Sequence, residues 1–199
     1  MKTIHKIHRL VITIGFAATL TFTIAQPVSA ACTAKEFYIN AALATAVHLD
    51  NLSRLETRDD YMKSAYSNLA KAQAQKCTNR AASDRWSIAD SWLGVYAARD
   101  RFAKSQRITH QSCRSLQVAE AREGLALSWL ELAQVQARLD RTLLFQRALS
   151  ALRNTARALS IQVPPLTANQ PATNSYVRAS VEASAHSSEA CSDALAASE

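Results

Sequence analysis

The chain has 199 residues, 48% of them hydrophobic, and a formal net charge of +7 at pH 7, which fits a single domain of ordinary size. Only two of its three glycines, Gly94 and Gly124, lie beyond residue 30. Glycine-rich phosphate loops and the nucleophile elbow of hydrolases are therefore excluded there, because both motifs need several glycines close together.

The first thirty residues, 1–30, have the three parts of a secretory signal peptide. A basic start precedes an apolar run at 10–25, and a small-x-small cleavage motif follows at 26–30. The basic residues of the start are Lys2, Lys6 and Arg9. We expect cleavage after Ala30 or Ala31. The alternative is an uncleaved anchor, but the run is shorter than the about 20 residues of a transmembrane helix.

Cleavage reduces the charge of the protein. It removes three of the 23 basic residues and none of the 16 acidic ones, which leaves a net charge of +4. This charge falls short of the concentrated basic surface of a nucleic-acid-binding protein. No second long apolar run follows, so we expect an exported protein, periplasmic or extracellular, with no integral membrane segment after cleavage.

All four cysteines lie beyond the cleavage site, which indicates disulfides in an oxidising compartment. They are Cys32, Cys77, Cys113 and Cys191. Cys32 has an alternative interpretation, because the preceding Ser29-Ala30-Ala31 resembles a bacterial lipobox and would make Cys32 a lipid anchor. Ser29 stands where that motif has a large aliphatic residue, and lipidation would leave an odd number of cysteines. We therefore favour the disulfide.

Two helices of similar length are predicted before Cys77. Thr33 and Glu36 form a capping-box pattern at the start of the first helix. Thr57 is the predicted N-cap of the second. A tight turn makes such a pair antiparallel, which brings Cys32 and Cys77 to the same end and predicts a Cys32–Cys77 disulfide.

A third helix, from about Arg80 to Ser105, is the most aromatic segment. Its aromatic residues are Trp86, Trp92, Tyr96 and Phe102. They fall on two adjoining faces, which is typical of the central helix of a bundle. A ligand pocket lined by these rings is the alternative.

Residues 109–161 form a long stretch of helix-favouring residues, with Thr109 as the predicted N-cap. At about 100° per residue, the apolar stripe changes face near 140–142. Either the helix breaks or kinks there, or it continues and its second half packs on a different neighbour. Both remain open, since neither proline nor glycine enforces a break.

Residues 162–175 are predicted to be a linker, because Pro164, Pro165 and Pro171 disfavour helix. A marginal C-terminal helix follows within 176–199. By elimination Cys113 pairs with Cys191, which tethers this helix to the bundle formed by 31–161.

Candidate sites are few. His110 and His186 lie near Cys113 and Cys191, so they approach one end of the structure and are weak candidates for metal binding. No full ligand set accompanies them, and we predict neither a metal site nor a cofactor.

Four arginines, Arg141, Arg147, Arg153 and Arg157, lie in a segment that has no acidic residue between Arg141 and Val181. A solvated basic flank is the simplest interpretation. A docking surface for an acidic partner or for anionic headgroups is the functional alternative.

The sequence thus predicts an all-α, exported, antiparallel helical bundle of four to six helices, one of them very long or kinked, held by two disulfides. The leading functional hypothesis is a non-enzymatic accessory or scaffold protein that contacts a protein partner or associates with itself. The second hypothesis is a small-ligand or metal-binding sensor.

Overall fold

A computed structural model describes residues 30–51, 58–166 and 171–197, which form six α-helices. The helices are α1 (Ala30–Asn51), α2 (Arg58–Ala74), α3 (Arg80–Ser105), α4 (Gln111–Leu139), α5 (Leu143–Ala158) and α6 (Pro171–Ala196). No strand occurs in these three ranges, so the predicted all-α class is confirmed. The predicted signal peptide lies outside them, apart from Ala30.

Helix α3 packs against α1, α2, α4 and α5, and its contact with α4 is the most extensive in the structure. Trp92, Leu93 and Val95 on α3 are fully buried. The helix begins where the sequence predicts, because the Asn79 side chain accepts a hydrogen bond from the Ala82 N–H at 3.2 Å, as an N-cap residue does.

Small residues allow α3 and α4 to approach closely. Ser91 Oγ donates to the carbonyl of Ser128 at 2.8 Å, and Ser128 Oγ donates to the carbonyl of Gly124 at 2.9 Å. A Cβ atom at Gly94 would collide with Ser128 Oγ. The absence of that atom therefore sets the separation of the two helices at this point.

An ion pair joins the same two helices. The guanidinium of Arg138 on α4 donates two hydrogen bonds, both 2.7 Å, to the carboxylate of Asp84 on α3. Asp84 is buried. The hydrogen bonds from Arg138 lower the pKa of Asp84, against the opposing effect of burial. A bidentate pair of this kind also fixes the register of the helices.

Two disulfides join Cys32 to Cys77 and Cys113 to Cys191, each with a Cα–Cα distance of 4.7 Å. These are the pairs that the sequence predicts. The first links the start of α1 to the segment after α2, and the second links the start of α4 to α6. The Cys32 sulfur is bonded to Cys77, as the favoured interpretation of Cys32 predicts.

Two predicted N-caps are wrong. Thr33 does not cap α1, because residues 30–32 before it are already helical. Thr109 does not cap α4, whose N-cap position is His110, without a side-chain cap bond. Arg114 stabilises this turn instead: its Nε donates to the carbonyl of Ile108 at 2.9 Å. The predicted cap Thr57 lies outside the described residues.

The long stretch is two helices. Helix α4 ends at Leu139 and α5 begins at Leu143. Thr142 is the N-cap of α5, and its Oγ1 accepts a hydrogen bond from the Phe145 N–H at 3.3 Å. The change of apolar face near 140–142 therefore marks a break, produced by a capping threonine without proline or glycine.

The predicted linker at 162–175 is too long at its C-terminal end. Helix α6 begins at Pro171 rather than after Ser175. Proline is compatible with the first turn of a helix, where its missing N–H has no intrahelical acceptor and its φ is already helical. The prediction that Pro171 disfavours helix is therefore wrong.

Helix α5 ends in a Schellman motif at Ser160. The Ile161 N–H donates to the carbonyl of Ala156 at 2.9 Å, and the Ser160 N–H donates to that of Arg157 at 3.1 Å. Ser160 has a φ of 54°, a conformation that glycine adopts without strain and serine does not.

The substitution Ser160→Gly should raise the free energy of unfolding by about 1 kcal/mol, because it removes the left-handed strain. Urea unfolding measures the change. Ser150→Gly, at an exposed position inside α5, is the matched control and should lower stability by roughly 0.5 kcal/mol. If both substitutions destabilised equally, the motif would not be strained.

Candidate functional surfaces

We call Arg141, Arg147, Arg153 and Arg157 the arginine surface. All four residues are exposed. Arg141 lies in the turn before α5, and the other three lie on the helix. Because a 16-residue helix is about 24 Å long, the four guanidinium groups are spread over one helix length on the outside of the protein.

Helix α5 is strongly amphipathic. Its inner face consists of apolar residues that are buried against the rest of the protein, chiefly α3 and α4. They include Phe145, Ala148, Leu149, Leu152 and Ala156. The arginines occupy the outer face together with exposed polar side chains. Leu143, at the first turn of α5, is 66% exposed and places an apolar side chain beside Arg141 and Arg147.

No arginine of this surface forms an ion pair within the described residues. Arginines elsewhere do: Arg85 pairs with Glu36 at 2.9 Å, and Arg138 pairs with Asp84. Helix α5 itself contains no acidic residue. The charge of the arginine surface is thus not neutralised by an ion pair in the part of the chain described.

One acidic side chain lies near the inner edge of α5. Asp50, with Arg99 and Asn154, lines a cavity of about 260 Å³ between α1, α3 and α5. The Tyr96 hydroxyl donates to the Asp50 carboxylate, so Asp50 is engaged in the packing of α1 on α3. Arg99 is exposed and adds a further positive charge beside α5.

His110 and His186 are both exposed. Helices α4 and α6 are antiparallel and are joined by the Cys113–Cys191 bond. Counting five residues along each helix from this bond places residue 186 opposite residue 118. His110 is then roughly 12 Å away along the axis, at 1.5 Å per residue. Among the residues that the structure describes, no group of three or more His, Cys, Asp or Glu side chains is placed to hold a metal ion.

The aromatic residues of α3 belong to the core. Trp92 is fully buried and Tyr96 is 2% exposed, while Trp86 and Phe102 pack against the core from its edge. The Trp86 indole N–H donates to the carbonyl of Leu69 at 3.1 Å. These contacts support the interpretation of α3 as the central helix over that of a ring-lined pocket.

An acidic groove runs along the α3–α4 contact, and it contains none of the predicted site residues. It has a volume of about 580 Å³ and small residues at its floor. Its acidic residues are Asp90, Glu120, Glu123 and Glu131. Arg101 pairs with Glu120 at 3.6 Å. Asp90 and Glu131 are far apart in sequence, so no local pattern indicates that they meet.

Asp90 is half-buried in this groove. Burial, and after it the negative charge of Glu131, together raise the pKa of Asp90 to about 6. The ionised form is therefore less favourable in the folded protein than in the unfolded chain.

Asp90→Asn should raise the free energy of unfolding by about 1 kcal/mol at about pH 7.5. The folded pKa of about 6 lies above the ordinary value of 3.8, so ionised Asp90 destabilises the fold fully above pH 6. This loss of stability declines as the pH falls from about 6 to 3.8 and vanishes below 3.8. Urea unfolding at about pH 7.5 and about pH 3.5 measures both limits.

The matched control is Asp193→Asn on α6, where the side chain is exposed. It should change stability little at either pH. A wild-type protein more stable than Asp90→Asn at about pH 7.5 would contradict the assigned cause of the pKa shift.

No protein-family model matches the chain, and no curated protein or solved structure is significantly similar to it. Within the described residues, no helix has the length and apolar character needed to cross a membrane.

Proposed function

We propose that the protein is a non-enzymatic helical accessory or scaffold protein of the periplasm or cell exterior, acting through contacts with other proteins. The observation that carries this proposal is the arginine surface, which has four exposed guanidinium groups and no ion-pair partner within the described residues. An acidic surface on a protein partner, or on another copy of the chain, supplies the negative charges that pair with these arginines.

Arginine chemistry favours a protein partner. The planar guanidinium group binds carboxylates through two parallel hydrogen bonds, and arginine is enriched in protein interfaces. Leu143 is 66% exposed beside these arginines and provides apolar contact area. The remaining apolar residues of α5 are buried inside the protein, so α5 does not have the free apolar face with which an amphipathic helix enters a bilayer.

The charge pattern also predicts how the complex forms. Unpaired surface charges of one sign attract a complementary partner over about a Debye length, roughly 8 Å at physiological ionic strength. They increase the association rate more than they slow dissociation. We therefore expect binding that weakens as salt is added.

A photo-crosslinking residue at position 150 tests this proposal, because Ser150 is exposed among the arginines of α5. In cells that export the protein, we expect a discrete protein adduct of defined mass. The triple variant Arg147→Glu, Arg153→Glu, Arg157→Glu should lower the yield of this adduct about tenfold or more. The new glutamates repel an acidic partner surface that the arginines attract.

The matched control is Lys63→Glu, Lys76→Glu, Arg107→Glu, which makes the same change in net charge at exposed residues outside α5. It should leave the adduct unchanged. An adduct at twice the chain mass identifies self-association. Absence of any protein adduct, attachment to lipid alone, or equal loss in both triple variants would contradict the proposal.

A further inference from the structure

A second cavity lies between α4 and α6, away from the arginine surface. It has a volume of about 490 Å³. We call it the α4–α6 cavity. Its polar lining includes Arg114, Ser115 and Arg122 from α4, and Tyr176, Ser180 and Ser187 from α6. The described lining contains no acidic residue, so two cationic groups face this space without a carboxylate among them.

The hydroxyl of Tyr176 is buried and has no hydrogen-bond partner within the described residues. The tyrosine ring packs against the hydrophobic core, which holds the side chain in place. Buried polar atoms are nearly always hydrogen-bonded in folded proteins, because an unmade bond is costly. A group that supplies an acceptor oxygen in this cavity would remove that cost.

The two arginines are placed by different means. The Nε of Arg114 donates to the carbonyl of Ile108 at 2.9 Å, which fixes the side chain at the start of α4. Arg122 is exposed at the rim of the cavity and forms no ion pair among the residues described. Burial raises the pKa of the Tyr176 hydroxyl, and the positive charge of Arg122 opposes this effect. The charge of Arg122 therefore acts at the hydroxyl oxygen.

We propose that the α4–α6 cavity binds a small oxyanion, a carboxylate or a phosphate, whose oxygens accept hydrogen bonds from Arg122 and the Tyr176 hydroxyl. The rest of an organic ligand lies against Val118 and Ala183, which also line the cavity. Arginine and a hydroxyl donor are the groups that bind such anions elsewhere in proteins. This site goes beyond the proposed function and does not depend on the arginine surface.

The Cys113–Cys191 bond makes the cavity depend on the redox state. It joins α4 to α6 next to Gln111 and Ser187, which line the cavity. Because α6 packs chiefly on α4, loss of this bond frees one wall of the cavity to move. Binding is therefore expected only in the oxidised protein.

The melting temperature of the oxidised protein, measured with added inorganic phosphate or butyrate, tests the site. Sodium chloride at equal ionic strength is the reference. We expect a saturable rise in melting temperature for at least one of the two probes. Phosphate also stabilises proteins generally by exclusion from their surface, but that effect does not saturate. The two probes separate a preference for phosphate from one for a carboxylate.

Arg122→Gln and Tyr176→Phe should each weaken binding about tenfold, the loss expected for one hydrogen bond to a charged group. Tyr176→Phe keeps the ring and removes the unpartnered hydroxyl, so without ligand it should melt at the wild-type temperature or above. Arg153→Gln on the arginine surface is the matched control and should bind as the wild type does. Cys113→Ser with Cys191→Ser should lose the saturable response.

Three results would overturn the site: no saturable response to either probe, equal weakening by Arg153→Gln and Arg122→Gln, or full binding by Tyr176→Phe. Because none of them involves a protein partner, each is distinguishable from a failure of the crosslinking experiment at position 150.

Discussion

The close approach of α3 and α4 is the constraint on which the other contacts depend. Gly94 has no side chain to separate the helices, and Ser128 fills the space where its Cβ would be. The buried hydrogen bond from Ser91 to the carbonyl of Ser128 stabilises the contact of α3 with α4 near Gly94. The Asp84–Arg138 ion pair stabilises the same two helices at a second position. With these two helices fixed, α1, α2 and α5 pack on α3, and α6 packs on α4.

The three surfaces follow from this arrangement. The acidic groove lies over the α3–α4 contact, where small residues leave room, and Asp90 faces it. Arg99 is nine residues further along α3, about 180° around the helix, and lines the cavity beside α5. The acidic groove and the arginine surface thus lie on opposite sides of α3. The α4–α6 cavity is separate from both, since its lining shares no residue with the acidic groove or the arginine surface.

Local patterns predicted the all-α class, the extent of α3 and both cysteine pairs, because helix propensity and chain order are properties of the sequence. They failed where a side chain formed a contact that no capping or periodicity pattern describes. The start of α4 depends on Arg114 reaching back to Ile108, which replaced the predicted cap Thr109. The arginine surface could be recognised in the sequence as a segment with arginines and no acidic residue. The site of Asp90 could not, because its raised pKa arises from burial and from Glu131 on another helix.

The most direct measurement of this account is the free energy of unfolding of Gly94→Ala with and without Ser128→Ala. The single substitution should lower stability by about 1–3 kcal/mol through overpacking, although alanine is the better helix former by about 1 kcal/mol. Adding Ser128→Ala should restore most of the loss, because it removes the atom with which the new methyl group collides. A Gly94→Ala protein as stable as the wild type, or a double variant no better than the single one, would contradict the account.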